Sequence, residues 1–495
     1  MTWQEEHTIQ MTASEQDASL PASRRRRLQL RIDPRLWQPL GFALLLLILT
    51  SITTAAYYLN YPRVDLNADT PAYLRVVNRF LVHPDLLVDP GRLPVYPLFI
   101  TLVYALAGHG NLAVVSAAQA FLFVLMTLEV YAIALLLLHR AWAAFLIGLM
   151  VGTNLILLSY AKPIMTEGIC AFLLTSLALA TLCYIHTLRL GALLSVTACL
   201  LLLLFTRPEW LFVPIPLYAY LLLVTLRCGN RRYLRVYGIS VLLSLVLISG
   251  CVSAYIMRNG VQNHYQGFTG IENYNELGKI LQYNMQDEAP PQEQAISRAL
   301  DRCIARIDRD PYHVLPCVPA LTDKYRYDVP AGAFARSIIL RHPGEFLLKS
   351  LPLFFTSLID YYPVTYHTGI PASPLVAGLQ ALYRALYWLN ACFWLIALAW
   401  LVLLCWRRTG RRQEVLAMGM LVLLVGYGVI VTTLGGYRPD DYMRVHIVFD
   451  PLLIVLFWAS LFLLLSYLPG YARRWDFHRH HKVVDSHDSG ARTKA

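Results

Sequence analysis

Four places between the apolar stretches of this sequence hold the charged residues that could do chemistry together. Asp65 and Asp69 follow the first long apolar run, and Lys162 and Glu167 lie between the third and fourth. Arg207 separates the fifth from the sixth, and Arg438, Asp440, Asp441 and Arg444 precede the last. Charge near membrane depth is costly, so its positions are informative. A carboxylate can accept a proton, and an arginine can pair with phosphate oxygens through its planar fork of N–H donors. Chemistry that moves a proton beside an anion needs both kinds of group on one face.

The elements that hold these residues are apolar runs. The chain has 495 residues, 57% hydrophobic and 15% charged, against about 25% charged in a soluble globular protein. That excludes a soluble multidomain protein, a disordered chain, a collagen and a small disulfide scaffold. Runs long enough to span a bilayer read as Leu40–Leu59, Asn111–Leu138, Ala141–Tyr160, Thr166–Ile185, Leu190–Thr206, Pro208–Leu226, Tyr237–Met257, Leu386–Trp406, Val415–Leu434 and Val445–Leu465, about ten in all. Pro94–Ala107 and Phe346–Leu358 are apolar but short, and read as interfacial or re-entrant helices on the outer face. The expected fold class is all-α: a polytopic membrane protein of about ten helices with outer-face interfacial helices and a small extracytoplasmic cap.

Orientation follows from the basic residues, which give a net charge of +11. They fill alternate linkers: His139 and Arg140; Arg189; Arg227, Arg231, Arg232 and Arg235; Arg407, Arg408, Arg411 and Arg412; then Arg473 and Arg474. Arg24, Arg25, Arg26 and Arg27 close a polar N-terminal tail with no apolar core, which is therefore not a cleavable signal peptide. With these groups inside, both termini are cytoplasmic and the mixed acids and bases share the outer face of the plasma (inner) membrane. The chain divides into a disordered cytoplasmic tail (1–36), a membrane core with the first outer loop 60–110 (37–257), an extracytoplasmic loop or cap (258–383), C-terminal membrane helices (384–468) and a cytoplasmic tail (469–495).

Of nine cysteines, only Cys303 and Cys317 lie in the outer loop; a bridge between them and two free thiols are both open readings. Glu129, inside the second run, reads as a packing residue. The histidines of the tail, His478, His480 and His481, read as part of a disordered end. Nothing in the sequence forms a nucleic-acid module.

Several motifs together carry a resemblance. Asn67-Ala68-Asp69-Thr70-Pro71-Ala72-Tyr73 resembles the Asp-x-x-x-Tyr signature of the first outer loop in GT-C glycosyltransferases. Gly91-Arg92-Leu93-Pro94-Val95-Tyr96-Pro97-Leu98-Phe99 is similar to their Arg-x-Pro-x-Tyr-Pro-Leu stretch. Thr166-Glu167, Arg207-Pro208, His342-Pro343-Gly344 and the arginine-bearing turn before the last span are also similar, so the pattern runs from Leu40 to Leu465. The branch it looks most like is that of the protein O-mannosyltransferases and lipid A aminoarabinose transferases.

The resemblance implies an enzyme that transfers a sugar from a polyprenyl-phosphate donor, at the outer membrane face, with inversion. It implies Asp69 as general base, with Asp65 the competitor and a merely solvated loop carboxylate the bland alternative. Arg438 and Arg444 are the first choices for the leaving phosphate; Arg207, Arg92, Lys162 and Arg258 follow, each against an ordinary role at lipid headgroups. Tyr73, Glu167 and His446 are candidate substrate contacts, although Glu167 could instead pair with Lys162. His446 and Asp450, four apart on one helical face, could instead share a structural hydrogen bond. The partners expected are membrane lipids, the lipid-linked donor and a glycan, lipid or protein acceptor. A divalent metal could be held by the loop acids, but no ligand spacing requires one. A lipid-linked-sugar flippase and an envelope polysaccharide polymerase are the rival functions; the first should line a path through the membrane with polar groups, and these gather on one side.

Overall fold

The computed structural model describes residues 34–83, 88–228, 231–323, 327–359, 373–405 and 412–466. The expected tails therefore fall almost wholly outside the described residues, with Arg24 to Arg27 and the tail histidines. So do Arg407, Arg408 and Arg411.

The chain is an all-α polytopic membrane protein, and among the described residues every regular element is helical. Helix α1 (Pro34–Asn60) is followed by α2 (Thr70–Val82) and α3 (Val95–Ala107), then by α4 (Leu112–Leu138), α5 (Ala141–Gly152), α6 (Leu155–Ala161), α7 (Glu167–Thr187), α8 (Leu190–Leu204), α9 (Pro214–Cys228) and α10 (Arg231–Asn263). A cap follows: α11 (Ile271–Gln282), α12 (Gln294–Ile304), α13 (Pro311–Val314), α14 (Val329–Arg341), α15 (Pro343–Ser350) and α16 (Leu353–Thr356). The chain returns through α17 (Pro374–Tyr387), α18 (Phe393–Cys405), α19 (Arg412–Gly435) and α20 (Pro439–Ser466).

Among the described residues, eight helical stretches are long and apolar enough to cross a membrane, or nine if α5 and α6 form one bent span. Two of the expected runs thus differ from continuous spans. Ala141–Tyr160 breaks by 54° between α5 and α6. Asn154 makes the break: its side chain accepts from the N–H groups of Ile156 and Leu157 at 3.0 and 3.3 Å and starts a new helix. The run at Leu190 yields the 15-residue α8, about 22 Å long at 1.5 Å per residue. It stops where Arg207 and Pro208 turn the chain into a short 3-10 segment. The span expected from Leu386 begins earlier, since Pro374–Cys405 is one long apolar stretch. The segments Val95–Ala107 and 343–356 are too short to cross, the latter split into α15 and α16 by Pro352.

The main core is built from α4, α7, α19 and α20, with α5 packed against α4 and α1. Close approach needs small residues: a Cβ built on Gly152 of α5 would overlap Thr50 of α1 and Thr127 of α4. Helices α1, α10 and α17–α18 bury little of their apolar surface, as expected of helices facing lipid. The cap has its own core around Leu277, Leu281, Leu300, Val314, Phe334 and Ile338.

Candidate active site

The loop between α1 and α2 places Asp69. Its backbone N–H donates to Asn67 Oδ1, while Asn67 N–H donates to Thr70 Oγ1 at 2.9 Å. Thr70 Oγ1 donates to the carbonyl of Ile164 at 3.1 Å, and Ile164 N–H donates to the carbonyl of Asp65 at 3.2 Å. The loop is thereby stitched to the segment joining α6 to α7. Asp69 stands at the N-cap of α2, but its side chain makes no capping bond, and Pro71 sits in the first turn. The carboxylate is left to point elsewhere.

It points at two arginines. Arg92 Nη2 lies 2.6 Å from Asp69 Oδ1, and Arg444 Nη2 lies 2.7 Å from Asp69 Oδ2. Arg92 comes from the loop before α3. Asp89 shapes that loop by accepting from the N–H groups of Gly91 and Arg92 at 2.8 and 3.1 Å. The C-terminal end of α10 pins it: Tyr255 Oη donates to the Asp89 carbonyl and Asn263 Nδ2 to that of Val88. The Arg92 guanidinium lies 4.9 Å from the centroid of Tyr73, whose ring packs edge-on against Tyr96.

From Arg444 the network continues inward. Its Nε donates to Glu167 Oε1 at 2.7 Å; Arg207 Nη1 lies 3.4 Å from the same oxygen, and Arg207 Nε pairs with Glu209 Oε1. Three arginines and three carboxylates alternate from Arg92 to Glu209, drawn from the starts of α2, α7 and α20, the loop before α3 and the turn after α8. Alternating sign is what permits so many charges in a poorly solvated place. Asp69 is the most open of the three acids, 26% exposed against 0% for Glu167 and 15% for Glu209. A substrate could reach it first. Burial alone would raise its pKa, but Arg444, Arg92 and Arg207 outweigh burial and hold it below the ordinary aspartate value.

Other candidates are placed differently. Asp65 does not stand free to act as base: Lys162 Nζ lies 2.8 Å from its Oδ2, in a pair 2% and 9% exposed. Lys162 also donates to the carbonyl of Arg63 at 2.6 Å, so its ammonium is held by the first loop and does not pair with Glu167. Arg438 is turned to the cap, with Nη1 2.6 Å from Asp310 Oδ2 and Nε 3.6 Å from Asp441. Arg258 is exposed on α10 and pairs with neither Asp69 nor Glu167. His446 is fully buried, 2.8 Å from Tyr387 Oη and 3.1 Å from Asp450, on a different side of α20 from Arg444. Glu129 accepts from Ser176 Oγ at 2.6 Å, while its second oxygen is buried without a hydrogen bond. Cys303 and Cys317 are joined as a disulfide with Cα atoms 6.1 Å apart.

The sequence reading missed two features. Glu209 sits two residues beyond Arg207 at the same boundary of apolar runs, and its position alone could have marked it. The cap supplies Tyr312, half exposed at 51%, stacked on Tyr274 at 4.8 Å and 17°. Burial first, then the charge of Asp69, raise the Tyr312 hydroxyl above its ordinary pKa. No spacing in the sequence foretells that neighbourhood. Among the described residues, Glu288, His342 and Glu345 could offer ligand atoms to a metal within 4.8 Å of one another. They belong to the cap, outside the Asp69 network.

No protein-family model matches the chain, and no curated protein matches it. Among solved structures it is similar to the oligosaccharyltransferase of Archaeoglobus fulgidus in its apo form, at 13% identity and a TM-score of 0.47, over 93% of this chain and 53% of that one. The same enzyme tethered to an acceptor peptide matches at 15% identity and a TM-score of 0.42, over 86% and 51%. The chain thus spans about half the length of these relatives. It is also similar to ArnT from Cupriavidus metallidurans, at 15% identity and a TM-score of 0.34, over 82% of this chain and 76% of that one.

Proposed function

We propose that the chain is an integral-membrane glycosyltransferase that moves a sugar from a polyprenyl-phosphate donor to an acceptor of the cell envelope. The site faces the extracytoplasmic side of the plasma membrane. The observation that carries this reading is the Asp69 carboxylate, the most open acid of a buried ion network, held between Arg92 and Arg444. Three separate segments there offer one group to take a proton and two groups to hold an anion.

The chemistry follows from those parts. The acceptor hydroxyl oxygen attacks the anomeric carbon as the bond from that carbon to the phosphate oxygen breaks. Asp69 takes the hydroxyl proton, and the polyprenyl phosphate leaves with the bonding pair. One displacement inverts the anomeric centre and needs no covalent enzyme intermediate. Arginine forks stabilise the charge that grows on the phosphate. Glu167 and Glu209 act behind them by fixing Arg444 and Arg207.

The test is reconstitution in liposomes with a radiolabelled polyprenyl-phosphate hexose and envelope extract as acceptor. Label should leave the donor and appear in a polymer, lipid or protein. Movement of intact donor between leaflets without transfer would instead identify a flippase.

A further inference from the structure

We infer that in the resting protein the Asp69 carboxylate occupies the seat of the donor phosphate, and that the donor must displace it before transfer can begin. The inference rests on the proposed reading and adds an order of events to it.

The geometry is that of an occupied anion site. Two guanidinium groups from distant parts of the chain, Arg92 and Arg444, each place one Nη2 on a separate oxygen of one carboxylate, at 2.6 and 2.7 Å. A phosphate diester presents the same pair of charged oxygens to the same donors. The carboxylate is free to leave. It makes no capping bond to α2, whose first turn already carries Pro71. The arginines are not free to follow it. Arg444 is fixed from behind by Glu167 at 2.7 Å, and Arg92 by the Asp89 turn and the Tyr73 ring. An acid with no capping bond, facing two anchored cations, is the arrangement in which an arriving anion replaces the acid.

Displacement also changes the base. Clamped between two cations, Asp69 is ionised but weakly basic. Released beside a bound phosphate, it loses both cations and gains an anionic neighbour, so its proton affinity rises. It becomes an effective base only once the donor is seated. A site that is closed to the donor most of the time has its affinity reduced to the fraction of time it is open.

The experiment measures equilibrium binding of a fluorescent long-chain polyprenyl monophosphate, lacking sugar, to the full chain in detergent. Asp69→Asn should bind the probe about tenfold more tightly than the natural protein, as expected if the seat is self-occupied roughly nine-tenths of the time. Asp69→Ser, smaller and also neutral, should show the same gain, so the result does not depend on one variant folding. Adding Arg92→Ala to Asp69→Asn should abolish the gain. Asp441→Asn removes a nearby acid that pairs with Arg438 instead, and should leave affinity within about twofold. If the natural protein binds the probe and neither Asp69 variant binds it more tightly, the self-occupied seat is wrong and the donor reading stands. An equal gain in Asp441→Asn also overturns it, because any lost negative charge then suffices. If no form binds the probe, the donor reading falls as well.

Discussion

At the scale of single residues, Asp65 and Asp69 look alike in sequence and differ entirely in surroundings. Asp69 is the most open acid of a network; Asp65 is locked to a buried lysine. Their neutral variants should therefore fail in different ways. Asp69→Asn should fold normally and lose transfer by roughly a hundredfold or more, since positioned general bases contribute about 10²–10⁴-fold. Asp65→Asn leaves Lys162 buried without its counter-charge, and should cost about 3–5 kcal/mol of stability. Thermal melting and transfer per folded molecule, measured on both, separate the two. Near-normal transfer by Asp69→Asn would remove it as base. The loop motif made Asp69 and Arg444 legible as candidates. It could not tell Arg444 from Arg438, because both arginines precede or open the same helix and only the fold shows which one faces Asp69. The buried partnership of Lys162 with Asp65 was likewise hidden, since it joins loops that are distant in sequence.

At the scale of elements, the cap and the turn before α20 form one joint. Arg438 reaches Asp310, which also caps α13 by accepting from Tyr312 N–H at 3.0 Å. Arg438→Ala should free α13 and speed backbone hydrogen exchange there, while changing donor affinity by no more than about twofold. Arg444→Ala should do the reverse, weakening donor binding about tenfold or more. Lys279 of α11 makes the same joint pH-dependent. Its ammonium is buried against the rings of Tyr283 and Tyr442, and burial lowers its pKa to about 7, against a smaller opposing effect of Asp441. Between about pH 7 and its ordinary value near 10.4 the unfolded chain binds more protons than the folded one, so stability rises with pH across that window. The melting temperature should climb from pH 7 to pH 9 in the natural protein, and Lys279→Met should flatten that climb. An equal climb in both would show that Lys279 is charged when folded. Hydropathy made the long helices legible. It could not show the break at Asn154, because an apolar run reads the same whether or not one side chain captures the next turn's N–H groups.

At the scale of the whole molecule, the ion network ties the ends of several helices to one another. Asp69 opens α2, Glu167 opens α7, Arg207 follows α8 and Arg444 lies in the first turns of α20. These ends meet, so they share one side. It follows that α7 and α8 make a matched excursion: leaving from Glu167 and returning to Arg207, they go down and come back together. The short α8 therefore cannot upset the sidedness of what comes later, whatever its own length. The same logic covers the cap, since Arg438 and Asp310 join it to the turn that carries Arg444. Which side this is must come from the linkers, whose arginines favour the cytoplasm. The cap and the site should then both face outward. Gln292 is exposed on the cap, remote from the Asp69 network. A cysteine introduced there, in a background without other accessible thiols, should react with an impermeant maleimide in intact cells. A second cysteine at Arg189, between α7 and α8, should react only after permeabilisation. If the two patterns exchange, the whole assembly is inverted and the site faces the cytoplasm. If both positions react from outside, α7 and α8 do not cross, and the shared rim of their ends would need another explanation.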